Sequence, residues 1–470
     1  MRLARLVRRN AQAHPDSPAL TDGHQVISWS GVHELGRSVR QRCGRAAIGT
    51  RVAICGDSGI MAIPLVIGLL SAGASVAILA SADLGRTEMA LDIWSADAVV
   101  DVDPSAEHAA FHRTVDGLTV QLRSRSGRPR SGRDAPSVVF STSGSTGNPR
   151  LVSCPDVRMT AVSKTIAQVL GLQRSDNIVS ASPLHFDYGF NQFTLAAASG
   201  ASLAQGDYLN LSHLLSNGPL EATVLASGPS QLRMLTGMPE SRVRNSTLRM
   251  VTSTGSAFPI ELTEQMRGLW PNAEIRSMYG MTECKRVSIS THEEFLADPT
   301  SVGHPIPGVA VSVDPASSEI LVRTPFLMTF ESSPSSDGPR VVVRDGVQLL
   351  ATGDVGRLSD DGELSRVGRL SQFTKIHDVR VSLAECEQVA VRHPAVRDAA
   401  VTVRDNQLVV WCATGSAGDD PAARESIRTE LVRWTGISTL SDAVVAFLPE
   451  LPRLPNGKLD RQSLAELGAS

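Results

Sequence analysis

A run of uncharged residues, GIMAIPLVIGLLSAGASVAILASA at positions 59–82, constrains the fold more than any other feature of the chain. The run is long enough to cross a bilayer as one helix. However, Gly73 divides it into a helix-like part and a strand-like part, and it is flanked by Asp57 and Asp83, where a membrane span favours Lys or Arg. The run therefore predicts a buried helix followed by a buried strand in an α/β core.

The rest of the chain repeats this pattern. Short apolar runs alternate with helical patterns, which predicts largely parallel sheets with crossover helices. Beyond about residue 310 the runs are shorter and alternate, as is typical of antiparallel strands or a small barrel. From about residue 371, a helix, two strands and a second helix indicate a small α+β unit. The apolar runs that predict the parallel sheets are 51–55, 75–80, 98–102, 137–141 and 222–227.

These patterns predict an α/β fold in two domains. The expected large N-terminal domain, residues 1–370, has two mostly parallel sheets with crossover helices and a small β-barrel-like subdomain at about 310–370. The expected C-terminal domain, residues 371–470, is a small α+β domain. A chain of 470 residues is too long for a single hydrophobic core, which agrees with this division.

Composition narrows the classes of partner. The chain has 45 basic and 48 acidic residues, so its overall field draws it neither to nucleic acid nor to a membrane. Its six cysteines show no CxxC pair, which suits a reducing compartment. The basic N-terminus lacks the apolar stretch of a secretory signal and predicts an amphipathic helix that ends before Pro15. We expect a cytoplasmic protein that acts on small molecules.

The stretch STSGSTGNPR, residues 141–150, follows an apolar strand pattern and is rich in glycine and hydroxyl groups. Such a turn can direct backbone N–H groups and hydroxyls at phosphate oxygens. It does not match the G-x-x-x-x-G-K-[ST] pattern of Walker-type NTPases, and by itself it could be an ordinary surface turn. The candidate nucleotide-binding residues in it are Thr142, Ser143, Gly144, Ser145, Thr146, Gly147 and Arg150.

Four further stretches follow in order: YGMTECK (279–285), TGDVGRL (352–358), GRLSQFTKIHDVRVSLAECE (368–387) and LPRLPNGKLDR (451–461). Together with STSGSTGNPR they resemble the motif series of the adenylate-forming superfamily, which includes acyl-CoA synthetases, peptide-synthetase adenylation domains and luciferases. The resemblance extends over nearly the whole chain. It implies a stand-alone ATP-dependent ligase in which a carboxylate attacks the α-phosphorus of ATP, pyrophosphate leaves and an acyl-adenylate forms.

The resemblance also assigns roles around the phosphates. Charge accumulates on the phosphorus oxygens during the reaction, and positioned donors together with Mg²⁺ stabilise it. Ser143, Ser145 and Thr146, with nearby backbone amides, are expected to hold the β- and γ-phosphates. Thr282 is expected to donate to the α-phosphate, and Glu283 to carry Mg²⁺.

Further roles concern the nucleoside and the attacking carboxylate. Asp354 resembles the acidic residue that accepts both ribose hydroxyls, and Arg369 is expected to support the same ribose. Lys458 resembles the lysine that bridges the attacking carboxylate and the ribose when the small domain closes; the alternative is a solvated lysine in a turn. The residues expected along adenine are Gly255, Ser256 and Ala257 on one side, with Tyr279, followed by Gly280, stacking on the other.

Three positions depart from the family pattern. Arg150 stands where lysine is usual, which keeps the charge and presents a planar fork. Ser371 stands at the hinge position in place of Asp or Lys. Asp378 replaces the glycine that leaves room for pantetheine in thioester-forming relatives, and a carboxylate there narrows the passage and repels an anionic arm. Asp378 therefore favours an amine or another nucleophile over a CoA or carrier-protein thiol as the acceptor.

The acid substrate is expected beside PLHFDYGFNQ, residues 183–192. Asp187 resembles the aspartate that meets a substrate α-ammonium, although a structural hydrogen-bonding role accounts for it equally well. The candidate contacts are His185, Phe186, Asp187 and Tyr188, with Phe190 as a further neighbour.

Several alternatives stay open at this stage. The acid can be an amino, aryl or acyl acid, and the acceptor can be an amine, CoA or a separate carrier protein. A relative that activates a small oxyacid such as nitrite for attack by an amine is a second possibility. A non-catalytic nucleotide-binding homologue is a third, although the presence of Thr282, Glu283, Asp354 and Lys458 together argues against it.

Overall fold

A computed structural model describes most of the chain. The described ranges are 2–43, 47–55, 59–79, 84–102, 113–115, 118–124, 135–143, 149–207, 209–254, 260–298, 300–331, 339–370, 373–376, 379–404, 407–414, 421–435, 437–453 and 459–467.

The chain divides into two compact units. The first unit comprises Met1–Ser312, Leu321–Ala351 and Leu358–Ser365. The second unit comprises Val313–Ile320, Thr352–Arg357 and Arg366–Ser470.

The α-helices of the described residues are α1 (Arg2–Ala13), α2 (Trp29–Cys43), α3 (Ala62–Ala72), α4 (Leu84–Trp94), α5 (Asp156–Val169), α6 (Asp187–Ser199), α7 (Leu211–Ser216), α8 (Pro229–Thr236), α9 (Ile260–Leu269), α10 (His292–Ala297), α11 (Leu383–Val391), α12 (Pro421–Thr435) and α13 (Arg461–Glu466). Short 3₁₀ turns lie at Gly59–Met61, Glu240–Arg242 and Ser438–Asp442.

The described strands are β1 (Pro18–Thr21), β2 (Val26–Ser28), β3 (Arg51–Cys55), β4 (Ser75–Leu79), β5 (Ala98–Val102), β6 (Arg113–Val115), β7 (Leu118–Ser124), β8 (Ser137–Ser143), β9 (Pro149–Pro155), β10 (Asn177–Ser180), β11 (Ser202–Gln205), β12 (Val224–Ala226), β13 (Met250–Thr254), β14 (Glu274–Tyr279), β15 (Ser288–Ile289), β16 (His304–Pro305), β17 (Ala310–Val313), β18 (Glu319–Arg323), β19 (Thr329–Phe330), β20 (Arg340–Arg344), β21 (Val347–Leu358), β22 (Leu364–Arg369), β23 (Phe373–Ile376), β24 (Val379–Ser382), β25 (Asp398–Arg404), β26 (Gln407–Ala413) and β27 (Val444–Leu448).

Two mainly parallel sheets dominate the first unit. One has the order β16-β15-β14-β13-β12-β10-β11-β1-β2, in which β14, β13, β12, β10, β11 and β1 run parallel. The other has the order β19-β9-β8-β4-β3-β5-β7-β6, with β8, β4, β3 and β5 parallel. The expected α/β class with crossover helices is confirmed.

The uncharged run at 59–82 forms the predicted helix and strand. It forms α3 and then β4, and Gly73 caps the helix with a φ of 97°. Pro64 lies in the first turn of α3, where its missing N–H breaks no helical hydrogen bond. No helix in the described ranges is both long and apolar enough to span a bilayer.

Strands β17, β18 and β20–β22 form a five-stranded sheet, and β20 is antiparallel to β21. Toward the C-terminus, β23 and β24 form a hairpin, and β25, β26 and β27 form a three-stranded sheet packed against α11 and α12. The helices at 383–391 and 421–435 and the strands β25 and β26 were predicted from the sequence. The hairpin and β27 were not.

A row of aromatic side chains in the first core fixes α6 against β8. Phe140 on β8 lies 5.8 Å from Phe190 on α6, measured between ring centroids. Phe190 lies 6.1 Å from Phe193, which in turn lies 6.2 Å from Trp29. All four are 1% exposed or less, and burying each one contributes roughly 1.5–3 kcal/mol. The N-terminal end of α6 is thereby held next to the strand that leads into STSGSTGNPR.

Candidate active site

Four parallel strands of the nine-stranded sheet, β10, β12, β13 and β14, end at the same edge. In open α/β sheets, ligands bind at this carboxyl edge. The described segments that leave it are 181–186, 227–228 and 280–287. The candidate acid-binding stretch and the YGMTECK stretch are therefore neighbours at one edge, although they are about a hundred residues apart in sequence.

The STSGSTGNPR stretch forms an antiparallel pair of strands. β8 ends at Ser143 and β9 begins at Pro149, with Thr142 opposite Arg150. The loop residues between the strands, Gly144, Ser145, Thr146 and Gly147 among them, lie outside the described ranges. The Arg150 Nη1 atom is 3.9 Å from Oε1 of Glu283, and both side chains are largely buried. The first motif and the YGMTECK motif thus meet through a pair of opposite charges.

The segment that carries Thr282 and Glu283 is held from both sides. The Cys154 thiol on β9 lies 4.0 Å from the Thr282 carbonyl oxygen, and the Met328 N–H donates to the Glu283 carbonyl at 2.8 Å. Gly280 allows the segment to fold back, because a Cβ there would lie 2.2 Å from the carbonyl oxygen of Lys285. Contacts to the main chain of this segment therefore help to fix the position of Glu283.

The Glu283 carboxylate fits the demands of Mg²⁺. It is a hard oxygen donor that is 4% exposed, and its neighbour Arg150 can also face a phosphate. The described residues contain no cluster of three His, Cys, Asp or Glu side chains able to enclose a metal. Mg²⁺ commonly binds through one or two carboxylates together with substrate phosphates and water, so a single carboxylate suffices here.

The predicted acid-binding residues lie at the start of α6. The Asp187 carboxylate, at the first position of the helix, pairs with the Lys285 ammonium. The Lys285 side chain is 1% exposed, and its Nζ atom lies 4.6 Å from the centroid of the Phe140 ring. Asp187 therefore has a cationic partner already, which the sequence analysis did not foresee.

Some residues close to Asp187 in sequence lie at the candidate site, and others belong to the hydrophobic core. Tyr188 donates from its hydroxyl to the Thr252 carbonyl oxygen at 3.3 Å, and burial raises the pKa of that hydroxyl. The rings of His185 and Phe186 lie 4.2 Å apart, and both residues are partly exposed. Phe190 is fully buried in the aromatic row described above, so it belongs to the core and not to a substrate pocket.

Arg286, next to Lys285, is a buried cation that the sequence analysis also missed. Its Nη1 atom donates to the Thr254 hydroxyl at 2.9 Å, and its guanidinium lies 5.9 Å from the Tyr188 ring centroid. Burial lowers the pKa of Arg286, and its Nε atom has no hydrogen-bond partner within the described ranges. The signal in the sequence was the pair of consecutive cations that directly follows YGMTEC, namely Lys285 and Arg286.

Tyr279 and Gly280 stand where β14 leaves the sheet. Tyr279 is the last residue of β14, pairs with Ser288 on β15 and is 5% exposed. The partner segment expected on the other face of adenine, Gly255, Ser256 and Ala257, lies outside the described ranges, as do Ser371, Asp378 and Lys458.

In the second unit, Asp354 lies buried on β21 beside two arginines. Arg366 Nη2 is 3.4 Å and Arg369 Nε is 3.2 Å from its Oδ1 atom. The Thr352 hydroxyl accepts a hydrogen bond from the Asp354 N–H at 3.1 Å and donates to the Ile320 carbonyl at 2.9 Å. The predicted pair of Asp354 and Arg369 is in contact, and Arg366 is a further cation that the sequence analysis did not single out.

Comparisons with known proteins agree with these motifs. The family model described as AMP-binding enzyme matches residues 7–329. Pyochelin synthetase PchF of Pseudomonas aeruginosa is 28% identical over 97% of this chain, and an isonitrile lipopeptide synthase of Streptomyces coeruleorubidus is 26% identical over 98%. The chain spans 27% and 33% of the lengths of these relatives.

Solved structures share the fold. The o-succinylbenzoate coenzyme A synthetase MenE of Bacillus subtilis, in complex with ATP and magnesium, gives a TM-score of 0.79 at 19% identity, covering 98% of this chain and 99% of its own. The amide bond synthetase McbA of Marinactinospora thermotolerans gives 0.79 at 21% identity, with the same coverage. The family match, which covers more than half of the chain, shows that the chain belongs to the AMP-binding enzymes of the adenylate-forming superfamily.

Proposed function

We propose that this chain is a ligase that activates a carboxylic acid with ATP and passes the acyl group to a nucleophile. The observation that carries the proposal is the contact between Arg150 and Glu283. It joins the phosphate-loop motif on β9 to the motif of the expected metal-binding carboxylate, which follows β14 at the carboxyl edge of the nine-stranded sheet, and both side chains are largely buried. Such an arrangement serves to hold a chelated polyphosphate.

In the proposed first step, a carboxylate oxygen of the acid attacks the α-phosphorus of ATP. The bond from that phosphorus to the bridging oxygen breaks, and pyrophosphate leaves with the electron pair. Mg²⁺, when bound, neutralises charge on the phosphate oxygens. Arg150 and the loop at 142–147 bind the β- and γ-phosphates, and Thr282 donates to the α-phosphate.

Other residues of the proposed mechanism orient the nucleoside and the acid. Asp354 accepts hydrogen bonds from the ribose hydroxyls, and its contacts with Arg366 and Arg369 orient its carboxylate. Lys458 supplies a cation to the attacking carboxylate. Its ammonium group stands on a flexible chain of four carbons and can contact the substrates directly.

In the proposed second step, a nucleophile attacks the acyl carbon and AMP leaves. Asp378 favours an amine, because a carboxylate in place of glycine repels the anionic arm of CoA or of a carrier protein. The fold does not distinguish an amine acceptor from a thiol acceptor. The coenzyme A synthetase MenE and the amide bond synthetase McbA match the chain with the same TM-score. Amine and thiol acceptors are therefore tested side by side.

The proposal is tested by pyrophosphate exchange into ATP with a panel of amino, aryl, fatty, dicarboxylic and inorganic acids. We expect one class to support exchange, and Glu283→Gln to lower the rate about 100-fold or more, because the metal loses its carboxylate. The matched control is Glu293→Gln, an exposed glutamate in α10, which should exchange at the wild-type rate.

The result of the exchange experiment decides the proposal. If no acid supports exchange, or if Glu283→Gln and Lys458→Ala both exchange like the wild type, the proposed ligase activity is wrong. If exchange is found, adding an amine or CoA to the adenylate identifies the acceptor from the product. Exchange with nitrite alone would assign the chain to oxyacid activation.

A further inference from the structure

Arg286 is a buried charge that the proposed adenylation chemistry does not use. The residue is 4% exposed, and in the described part of the chain no carboxylate lies within ion-pair distance of its guanidinium. The contacts of the guanidinium are one hydrogen bond to the neutral Thr254 hydroxyl and the face of Tyr188. Among the described residues, nothing accepts a hydrogen bond from its Nε–H.

Such a group is unfavourable in a protein without its ligand. Burying an unpaired charge costs several kcal/mol, and arginine does not relieve this cost by losing its proton. Residues that are destabilising in the free protein and lie at a ligand-binding edge commonly serve the ligand. Thr254 is the last residue of β13, so Arg286 lies at the edge from which the acid-binding segment also leaves.

The neighbouring charges specify the sign of the missing partner. Asp187 and Lys285 neutralise each other, so the cluster of Asp187, Lys285 and Arg286 has an excess of one positive charge. Tyr188, which follows Asp187, faces the guanidinium of Arg286. The excess charge therefore lies beside the residues predicted to contact the acid, and an anionic group on the substrate would neutralise it.

We propose that the acid activated by this chain carries a second carboxylate, which Arg286 binds while the first carboxylate is adenylated. This inference rests on the proposed function. A guanidinium binds a carboxylate through two parallel N–H donors, and the unpartnered Nε of Arg286 is one such donor. Asp187, which accepts from Lys285 through Oδ1, can receive an amino group of the same substrate through its other oxygen.

The first test compares acids with their matched amides in pyrophosphate exchange by the wild-type protein. Succinate against succinamate and aspartate against asparagine differ in the charge of one group and hardly in shape. We expect the dicarboxylic member of at least one pair to have a kcat/KM about 100-fold above that of its amide. A higher value for aspartate than for succinate would show that an amino group is recognised as well.

The second test removes the charge of Arg286. Arg286→Met should lower kcat/KM for the preferred dicarboxylic acid about 100-fold and bring it close to its amide, whereas Arg286→Lys should recover part of the loss. The Kd for ATP should not change. Arg276→Met is the matched control, because Arg276 on β14 already has Glu274 as its ion-pair partner and does not contribute an excess charge.

The failures of the two proposals differ. If monocarboxylic acids exchange as well as dicarboxylic ones, the second-carboxylate inference is wrong and the ligase activity stands. If Arg286→Met weakens ATP binding and slows all acids equally, Arg286 serves the nucleotide instead. If no acid supports exchange at all, the ligase activity itself is wrong. The comparison of acids with amides needs no variant, so a folding defect in Arg286→Met leaves the test intact.

Discussion

Asp176 and Asp187 each pair with a cation in the first unit, but their other partners differ. Asp176 accepts from Nε and Nη2 of Arg249 at 2.8 and 2.6 Å, from the Gln173 N–H at 2.7 Å and from the Thr223 hydroxyl at 2.8 Å. Asp187 accepts from Lys285. A carboxylate whose acceptor sites are filled serves the fold, whereas one with a single donor keeps capacity for a ligand.

Asp176 gives a prediction of pH-dependent stability. Burial alone would raise its pKa, but the hydrogen bonds from Arg249, Gln173 and Thr223 outweigh burial and hold the pKa below the ordinary value. A carboxyl group with a lowered pKa stabilises the fold above its unfolded pKa of about 3.9, and this contribution is lost as the pH falls through the folded pKa.

We therefore expect Asp176→Asn to lower the free energy of unfolding by about 1.5 kcal/mol at pH 7, a value kept small because Arg249 is partly exposed. The difference from the wild type should shrink below about pH 4. Urea unfolding at several pH values measures it, with the exposed Asp16→Asn as the control. A difference that is constant from pH 3 to pH 7 would contradict the assignment.

At the scale of single residues, the sequence identified the motifs but did not predict which charged side chains pair with each other. Glu283 and Arg150 were both singled out, but their contact depends on how β9 and the segment after β14 approach each other. The pairing of Lys285 with Asp187 joins residues 98 positions apart. No local pattern encodes such a contact, because it follows from the packing of two sheets and α6.

At the scale of elements, hydrophobic periodicity predicted those strands and helices that are buried in a regular way. The run at 59–82 gave α3 and β4, and the apolar runs at 51–55 and 98–102 match β3 and β5. β27 was missed, although its pairing with β26 completes the sheet of β25 to β27. Its residues VVAFL are apolar without alternation, and such a short run does not distinguish a strand from part of a helix.

The crossing of α2 and α3 leads to a prediction about helical glycines. A Cβ on Gly68 in α3 would lie 2.5 Å from the Cβ of Val39 in α2 and 2.7 Å from a backbone oxygen. In contrast, Gly268 in α9 has nothing within 4 Å of its Cβ position. Both glycines lie in helices, so the same substitution should have opposite effects.

We expect Gly68→Ala to destabilise the protein by about 2 kcal/mol, because α2 and α3 must move apart. Gly268→Ala should stabilise it by about 0.5 kcal/mol, because alanine restricts the unfolded chain. Chemical denaturation of the two variants beside the wild type measures both effects. Equal changes in the two variants would show that helix propensity and not the close crossing governs Gly68.

At the scale of the whole molecule, the two units have separate hydrophobic cores. The clusters of the second unit draw on residues 376–464, around buried Val410, Leu431 and Trp411. The largest cluster of the first unit draws on residues 3–328. Because the clusters named here share no residue, the clusters at 376–464 can be lost while the cluster at 3–328 stays intact, and unfolding in more than one step is expected.

Buried thiols report on the two cores separately. Cys55, Cys154 and Cys284 are buried in the first unit, and Cys386 and Cys412 in the second. Burial raises the pKa of Cys154 and of Cys412 to about 12, so these thiols should not react in the native protein at neutral pH. Half-buried Cys43 serves as an internal reference that reacts earlier.

We expect pulsed thiol labelling in increasing denaturant, with peptide mass spectrometry, to show Cys386 and Cys412 becoming reactive together at a lower midpoint than the thiols of the first unit. The second unit has the smaller core, and a smaller core stabilises a fold less. ATP with Mg²⁺ should raise the midpoint of the first group, since the residues proposed to hold the phosphates lie in that unit. A single midpoint for all five thiols would mean that the two cores unfold as one cooperative structure.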